Sequence, residues 1–260
     1  MNRLYQDYYT ESYLRARRYW EPWYTSDVNN SRADDPKDIE SRRRGLSEFL
    51  KRYAPKDILA GSVLDYGGDR GQFIPLQIGD KKFVFEASHR SPTEGVVRLA
   101  ARDSLQQQTF DLVLLSHVLE HIPEPHSFLR RMNEELGPKN RRYWFYVEVP
   151  AERPRILRRT LGVSRLMQRG ESVGIATHRL RWIIADLYST FFRVKFSIVP
   201  PFGVTKLHEH LNFFSKASLR TLLEQEDFGI VACEESSSSS PSSKMVGINR
   251  VFRVLAKRNS

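Results

Sequence analysis

The residues best suited to chemistry lie in one short run, Val63-Leu64-Asp65-Tyr66-Gly67-Gly68-Asp69-Arg70-Gly71-Gln72-Phe73. An apolar stretch ends in an acid, and a glycine-rich turn then opens toward a helix. Glycine at Gly67 and Gly71 permits a sharp bend and lets a ligand approach the backbone closely. The helix that follows offers unpaired N–H groups and the positive end of its dipole. A second acid, Glu86, closes another apolar run about twenty residues on, where nucleotide-binding α/β folds use a carboxylate to accept hydrogen bonds from ribose hydroxyls. Turn and acid together predict a nucleoside-containing ligand. The dinucleotide pattern G-x-G-x-x-G is not met, because counting from Gly67 its positions hold Gly67, Asp69 and Gln72. An acid at Asp69 suits a ligand that carries an ammonium better than one that carries a pyrophosphate.

Three separated motifs, in order, resemble the class I S-adenosylmethionine-dependent methyltransferase superfamily. Asp65, Gly67 and Gly71 match its first motif, with Asp69 in place of the usual middle glycine. Glu86 matches its ribose-binding acid, and Phe110-Asp111-Leu112-Val113-Leu114-Leu115-Ser116-His117-Val118-Leu119-Glu120-His121-Ile122-Pro123 is similar to its FDLV…HVLEHIP signature. The resemblance runs from about Ser62 to Lys257. It implies S-adenosyl-L-methionine as cofactor, held by Asp65, Gly67, Gly68, Asp69, Gly71 and Glu86. It also implies Ser116 and His117 at the methionine end and Ala101 and Arg102 beside the adenine, with Asp103 the acid near that contact. The fold it implies is α/β, Rossmann-like and doubly wound, a mostly parallel seven-stranded sheet with an antiparallel last strand.

Transfer of a methyl group from an activated sulfonium needs positioning above all. A hydroxyl acceptor also needs a base, and histidine suits that task near neutral pH. Leu207-His208-Glu209-His210-Leu211-Asn212-Phe213-Phe214-Ser215 resembles the HEHLxYFS segment of sugar methyltransferases, which implies acid–base roles for Glu209 and His210; His121 is a further candidate. The cysteine-rich zinc domain of the sugar C-methyltransferases cannot exist here, because Cys233 is the single cysteine. O-methylation of a saccharide, nucleotide sugar or glycan precursor is the expected reaction. No further His or Cys cluster completes a metal site around His208 and His210, so no metal is expected.

These residues need a scaffold. SVLDY, KFVFE, GVVRL, FDLVLLS and YWFYVEV read as buried strands. Strands alternating with helical segments predict a parallel sheet, and HSFLRRMNEEL after Pro125, stopped by Gly137, is the clearest helix. Pro36 to Tyr53 reads as an amphipathic helix with Ile39, Leu46, Phe49, Leu50 and Tyr53 on one stripe, and with Arg42, Arg43 and Arg44 directed mostly to solvent. A helix from Lys216 to Asp227, capped by Ser215 and closed by Gly229, precedes strands near GIVACEE and NRVFRVLAK. The serine run from Ser236 connects those two strands. The expected organisation is an aromatic, basic arm over residues 1–55, with Tyr5, Tyr9 and Tyr13 at helical spacing. A methyltransferase domain follows over 56–260, with an arginine-rich, largely helical lid inserted at about 151–207.

Composition agrees with one large domain: 40% of the 260 residues are hydrophobic and 28% are charged. The N-terminus lacks an apolar signal core and no apolar run is long enough to span a bilayer, so a cytoplasmic location is expected. A formal net charge of +10 favours encounter with anions without choosing among nucleic acids, nucleotide sugars, anionic lipid surfaces and acidic glycans; the partner expected from the motifs is a small-molecule or glycan acceptor of anionic character. RNA is a weaker candidate, since no Asn-Pro-Pro-Tyr-like motif is present. A membrane-proximal enzyme acting on lipid-linked sugars or quinones, with Trp182 to Phe192 lying on an anionic surface, and a non-catalytic cofactor-binding subunit are the remaining alternatives. The oligomeric state has no signature in the sequence.

Overall fold

The computed structural model describes residues 15, 18, 19, 34–86, 90–140, 142–151, 155–156, 179–196, 198–199, 211–237 and 250–259. Helix α1, Pro36–Tyr53, starts where Asp35 accepts a hydrogen bond from the Lys37 N–H and Pro36 occupies the first turn. After the short helix α2, Lys56–Ala60, the chain enters strands β1 (Ser62–Tyr66), β2 (Lys81–Phe85) and β3 (Val96–Leu99). Helix α3, Arg102–Gln107, leads to β4, Leu112–Ser116. A single 3-10 turn, Leu119–His121, and helix α4, Pro125–Leu136, lead to β5, Trp144–Pro150. Gly137, at φ 76°, ends α4 as expected. Helix α5, Arg179–Phe196, lies in the insert, beside a pair of two-residue strands, Arg155–Ile156 and Ile198–Val199. Helix α6, Lys216–Gln225, precedes β6, Phe228–Ser237, and β7, Arg250–Arg258.

The seven strands stand in the order β3-β2-β1-β4-β5-β7-β6. All pairs are parallel except those made by β7, which runs against both β5 and β6. This is the Rossmann-like, doubly wound sheet that the strand and helix alternation predicts. Val113, Leu114 and Leu115 have at most 1% of their surface exposed, because the central strand is covered on both faces. On one face, Leu105 of α3, Leu129 and Met132 of α4, and Leu219 and Leu223 of α6 pack on Leu64, Val113, Phe145 and Val254. On the other, Leu46, Phe49 and Leu50 of α1 pack on Val63, Leu112, Leu114, Tyr146 and Leu255.

Three local expectations change. No helix opens after the glycine turn: residues 67–80 run as successive turns closed by the Gly71, Ile74 and Ile78 N–H groups on the carbonyls three residues back, so backbone N–H groups of a turn, and no helix dipole, face a ligand there. Helix α6 stops at Gln225, and Asp227 rather than a glycine takes the left-handed turn at φ 64°. The cause is Phe228, which is 1% exposed and stacks on Phe145 at 4.7 Å; pulling that ring into the core starts the strand early, and Gly229 becomes a strand residue. Arg42 and Arg43 are half-buried rather than mostly solvated. The early turns of α1 bury Asp38 and Ser41, so this end of the helix turns a polar face inward, toward the glycine turn.

Candidate functional site

Strand order reverses beside β1, with β2 on one side and β4 on the other, so the carboxyl ends of β1 and β4 open a crevice, the place where doubly wound sheets bind ligands. The structure brings most of the expected residues to this edge. Asp65 lies in the last turn-ward half of β1, Gly67 to Gly71 form the turn after it, Glu86 follows β2, and Ser116 and His117 close β4. Ala101 and Arg102 begin α3 on the same edge, both exposed, with Asp103 in the first turn.

The turn is shaped by what it must avoid. Gly67 and Gly71 adopt φ of 78° and 70°, values that glycine reaches without strain. At Gly68, a Cβ would lie 2.0 Å from Asp65 Cγ, so only a bare backbone fits over that carboxyl. Asp69 holds φ 54°, a left-handed conformation that Asp tolerates better than most residues. It thus keeps the bend made by the glycine it replaces. Its N–H donates to Glu86 Oε2 at 3.3 Å, which holds the Glu86 carboxylate against the glycine turn.

The Asp69 side chain is engaged as well. Its Oδ2 accepts from Arg90 at 2.7 Å and from the Gln72 amide at 3.2 Å. Arg90 also pairs with Asp34 at 2.7 Å, and Arg70 pairs with the same Asp34 at 3.0 Å. Burial pushes the Asp65 carboxyl up to about 7, with Arg42 opposing that rise and Glu86 and Asp69 adding to it. Arg42 stacks its guanidinium on Phe73 at 3.8 Å, and Arg43 donates to the Gln72 carbonyl at 2.7 Å. Helix α1 therefore supplies two cations beneath the turn.

A second cluster sits under β4. His117, at φ 56°, places one ring nitrogen 3.1 Å from Glu120 and the other 3.0 Å from Glu148. Glu148 also accepts from Arg253 at 2.7 Å and from the Tyr146 hydroxyl at 2.6 Å. Burial and the charge of Arg42 work against a cationic His117, yet the bonds to Glu120 and Glu148 carry its pKa above the usual value. Burial alone would raise Glu148; its bonds and charge interactions with His117 and Arg253 hold it well below the ordinary carboxylate range instead. Both imidazole nitrogens are thus engaged inside the protein, although about a quarter of the side chain, 27%, remains exposed. His121 ends the 3-10 turn with Nε2 3.9 Å from Glu120.

The same turn receives the second histidine-bearing segment. Leu211 and Asn212 N–H groups both donate to the Glu120 carbonyl, at 2.7 and 3.0 Å, and the Asn212 amide donates to the Leu119 and Ile122 carbonyls. His208, Glu209 and His210 lie outside the described residues. Arg42, Glu148, Arg253 and Tyr146 were not singled out from sequence. Arg42 and Glu148 are polar residues interrupting apolar runs, and that interruption is the signal that points to them.

The cradle fits an adenosyl-methionine ligand: bare backbone at Gly67 and Gly68, a buried acid in reach of an ammonium, and a second acid held against the glycine turn. Among solved structures, magnesium protoporphyrin IX methyltransferase from Synechocystis PCC 6803 with bound SAH is 13% identical, covering 99% of each chain with a TM-score of 0.47. The plantazolicin methyltransferase BpumL in complex with a pentazolic desmethylPZN analog and SAH is 11% identical over 99% of this chain and 96% of that one, with a TM-score of 0.48. A SAM-dependent methyltransferase from Archaeoglobus fulgidus is 15% identical over 83% and 94%, with a TM-score of 0.39. No curated protein matches. The pattern of the family described as "Methyltransferase domain" matches residues 39–232, from the first turn of α1 into β6, and by that match this chain belongs to the methyltransferase-domain family.

Proposed function

We propose that this methyltransferase moves a methyl group from S-adenosylmethionine to a hydroxyl of a saccharide, nucleotide sugar or glycan precursor. The cofactor is S-adenosylmethionine; when bound, it supplies an electrophilic methyl on a sulfonium. Asp65 in its ionised form attracts the ammonium, the backbone from Gly67 to Gly71 lies against the methionine portion, and Glu86 accepts from the ribose. Ser116 and His117 line the crevice beyond β4. Ala101 and Arg102 border the adenine.

The observation that carries the acceptor reading is the anchoring of Leu211 and Asn212 on the turn Leu119–His121. That bond set ties Leu211 and Asn212, the described end of the stretch resembling the sugar-methyltransferase motif, to the turn that follows β4. His210 immediately precedes the anchor in the chain. In this reading it takes the proton of the acceptor hydroxyl, with Glu209 orienting it and His121 nearby on the turn.

The test is transfer of labelled methyl from S-adenosylmethionine across a panel of nucleotide sugars and glycans. His210→Ala should bind cofactor as the parent does in calorimetry while turnover falls by about 10²–10⁴-fold. Full turnover by that variant removes His210 from the chemistry, and a panel without any accepted sugar removes the acceptor class.

A further inference from the structure

Helix α5 is built inside out. Its inward face buries Asp186 and Ser189, 1% and 5% exposed, while Leu180, Ile184, Leu187 and Phe191 are 62%, 59%, 53% and 55% exposed. With Tyr188, those residues recur at the spacing of one helical stripe, so the apolar stripe of this helix faces away from the protein. A single exposed leucine needs no explanation, but a continuous stripe of this kind marks an interaction surface.

Charge says what that surface meets. Residues 151–207 carry eleven of the arginines and lysines and three of the acids, so the insert holds most of the chain's net positive charge. Arg181 is exposed at the edge of the stripe. The Lys195 ammonium lies 5.5 Å from the rings of both Phe191 and Phe196, the arrangement of a cation at the border between apolar and aqueous phases. Among the described residues no helix is long and apolar enough to cross a membrane. A helix with an outward apolar stripe and flanking cations can instead lie in the plane of a lipid interface.

We infer that α5 seats this enzyme on an anionic lipid surface, its stripe in the interface and its cations among the headgroups. A second copy of the chain is a poor occupant, since pairing two such inserts would bring like charges together. RNA is a weaker occupant: Tyr188 and Phe191 offer stacking planes, but they stand among Leu180, Ile184 and Leu187, which offer neither a stacking plane nor a hydrogen bond and would stay wet against a nucleic acid. The inference is independent of the acceptor reading, because its test measures binding without turnover.

The test is co-sedimentation of the full chain with phosphatidylcholine vesicles, with and without about one third phosphatidylserine. Binding should require the anionic lipid and weaken as salt is raised. The double variant Ile184→Ser with Phe191→Ser should lose about tenfold in vesicle affinity, with its thermal unfolding unchanged because both side chains are exposed. Leu187→Lys, which adds charge while removing apolar surface, separates the two contributions: it too should bind less tightly. Equal binding to neutral and anionic vesicles, no binding to either, or wild-type binding by the double variant overturns the inference. So does sedimentation velocity showing a dimer that the double variant dissolves, or salt-sensitive RNA binding that the double variant abolishes.

Discussion

With its pKa pushed up to about 7, the Asp65 carboxyl is divided between its two forms near neutrality, and only the ionised form attracts an ammonium. Cofactor affinity should therefore increase as pH rises from about 6 to about 8, as read by calorimetry; a flat profile would take Asp65 out of ammonium binding. The same shift works against folding. A carboxyl whose folded pKa lies above its unfolded value of 3.8 contributes stability below that value, and the contribution is lost as pH climbs to about 7. The cost at neutral pH is on the order of 4 kcal/mol. Asp65→Asn should unfold at a higher temperature than the parent at alkaline pH while binding cofactor more weakly. Gly68→Ala makes no such trade: its Cβ would collide with the Asp65 carboxyl, so both stability, by about 1–3 kcal/mol, and cofactor binding should fall. Thermal unfolding with and without S-adenosylmethionine reads both variants.

At the scale of elements, β4, β5 and β7 are joined below the crevice by charge as well as by backbone. Glu148 of β5 holds Arg253 of β7 and His117 after β4. His117 contributes stability that is fully present below 6.5 and is lost as pH rises through its raised folded pKa. Glu148 contributes stability present above 4.5 and lost as pH falls through its lowered one. Both act together between those values, while the cost of ionising Asp65 grows across the same range, so a thermal unfolding profile against pH should peak toward the acidic end of that window, and Glu148→Gln should destabilise by about 3–5 kcal/mol by stranding Arg253. The strands themselves were legible in the sequence because central parallel strands are unbroken apolar runs, and the cradle was legible because glycine and acid spacing follows ligand chemistry. Arg42 and Arg43 were not. A stripe argument assigns a polar residue to water, and it has no means of knowing that one end of α1 faces a polar crevice instead of the core. The Glu148–Arg253 pair was hidden for a related reason, since its partners are 105 residues apart and meet only through sheet order.

For the molecule as a whole, the sheet is sandwiched between two helical layers, and α1 belongs to one of them. Leu50 is fully buried against β1, β4 and β7 residues, and the family match begins inside this helix at residue 39. Leu50→Ala should cost about 2–5 kcal/mol in denaturant unfolding. A chain started at Lys56 should fail to show a cooperative transition, because one face of the sheet would be left wet.

The replacement of a glycine by Asp69 has a consequence of its own. A glycine in that bend would be mute, whereas the aspartate, through Arg90, is answerable to Asp34 just ahead of α1. Three stretches distant in sequence thereby become one mechanical joint at the lip of the crevice. Whatever displaces the chain ahead of α1 will be communicated, by way of two carboxylates and a guanidinium, to the glycine bend beside the crevice, and dissolved ions will loosen that joint.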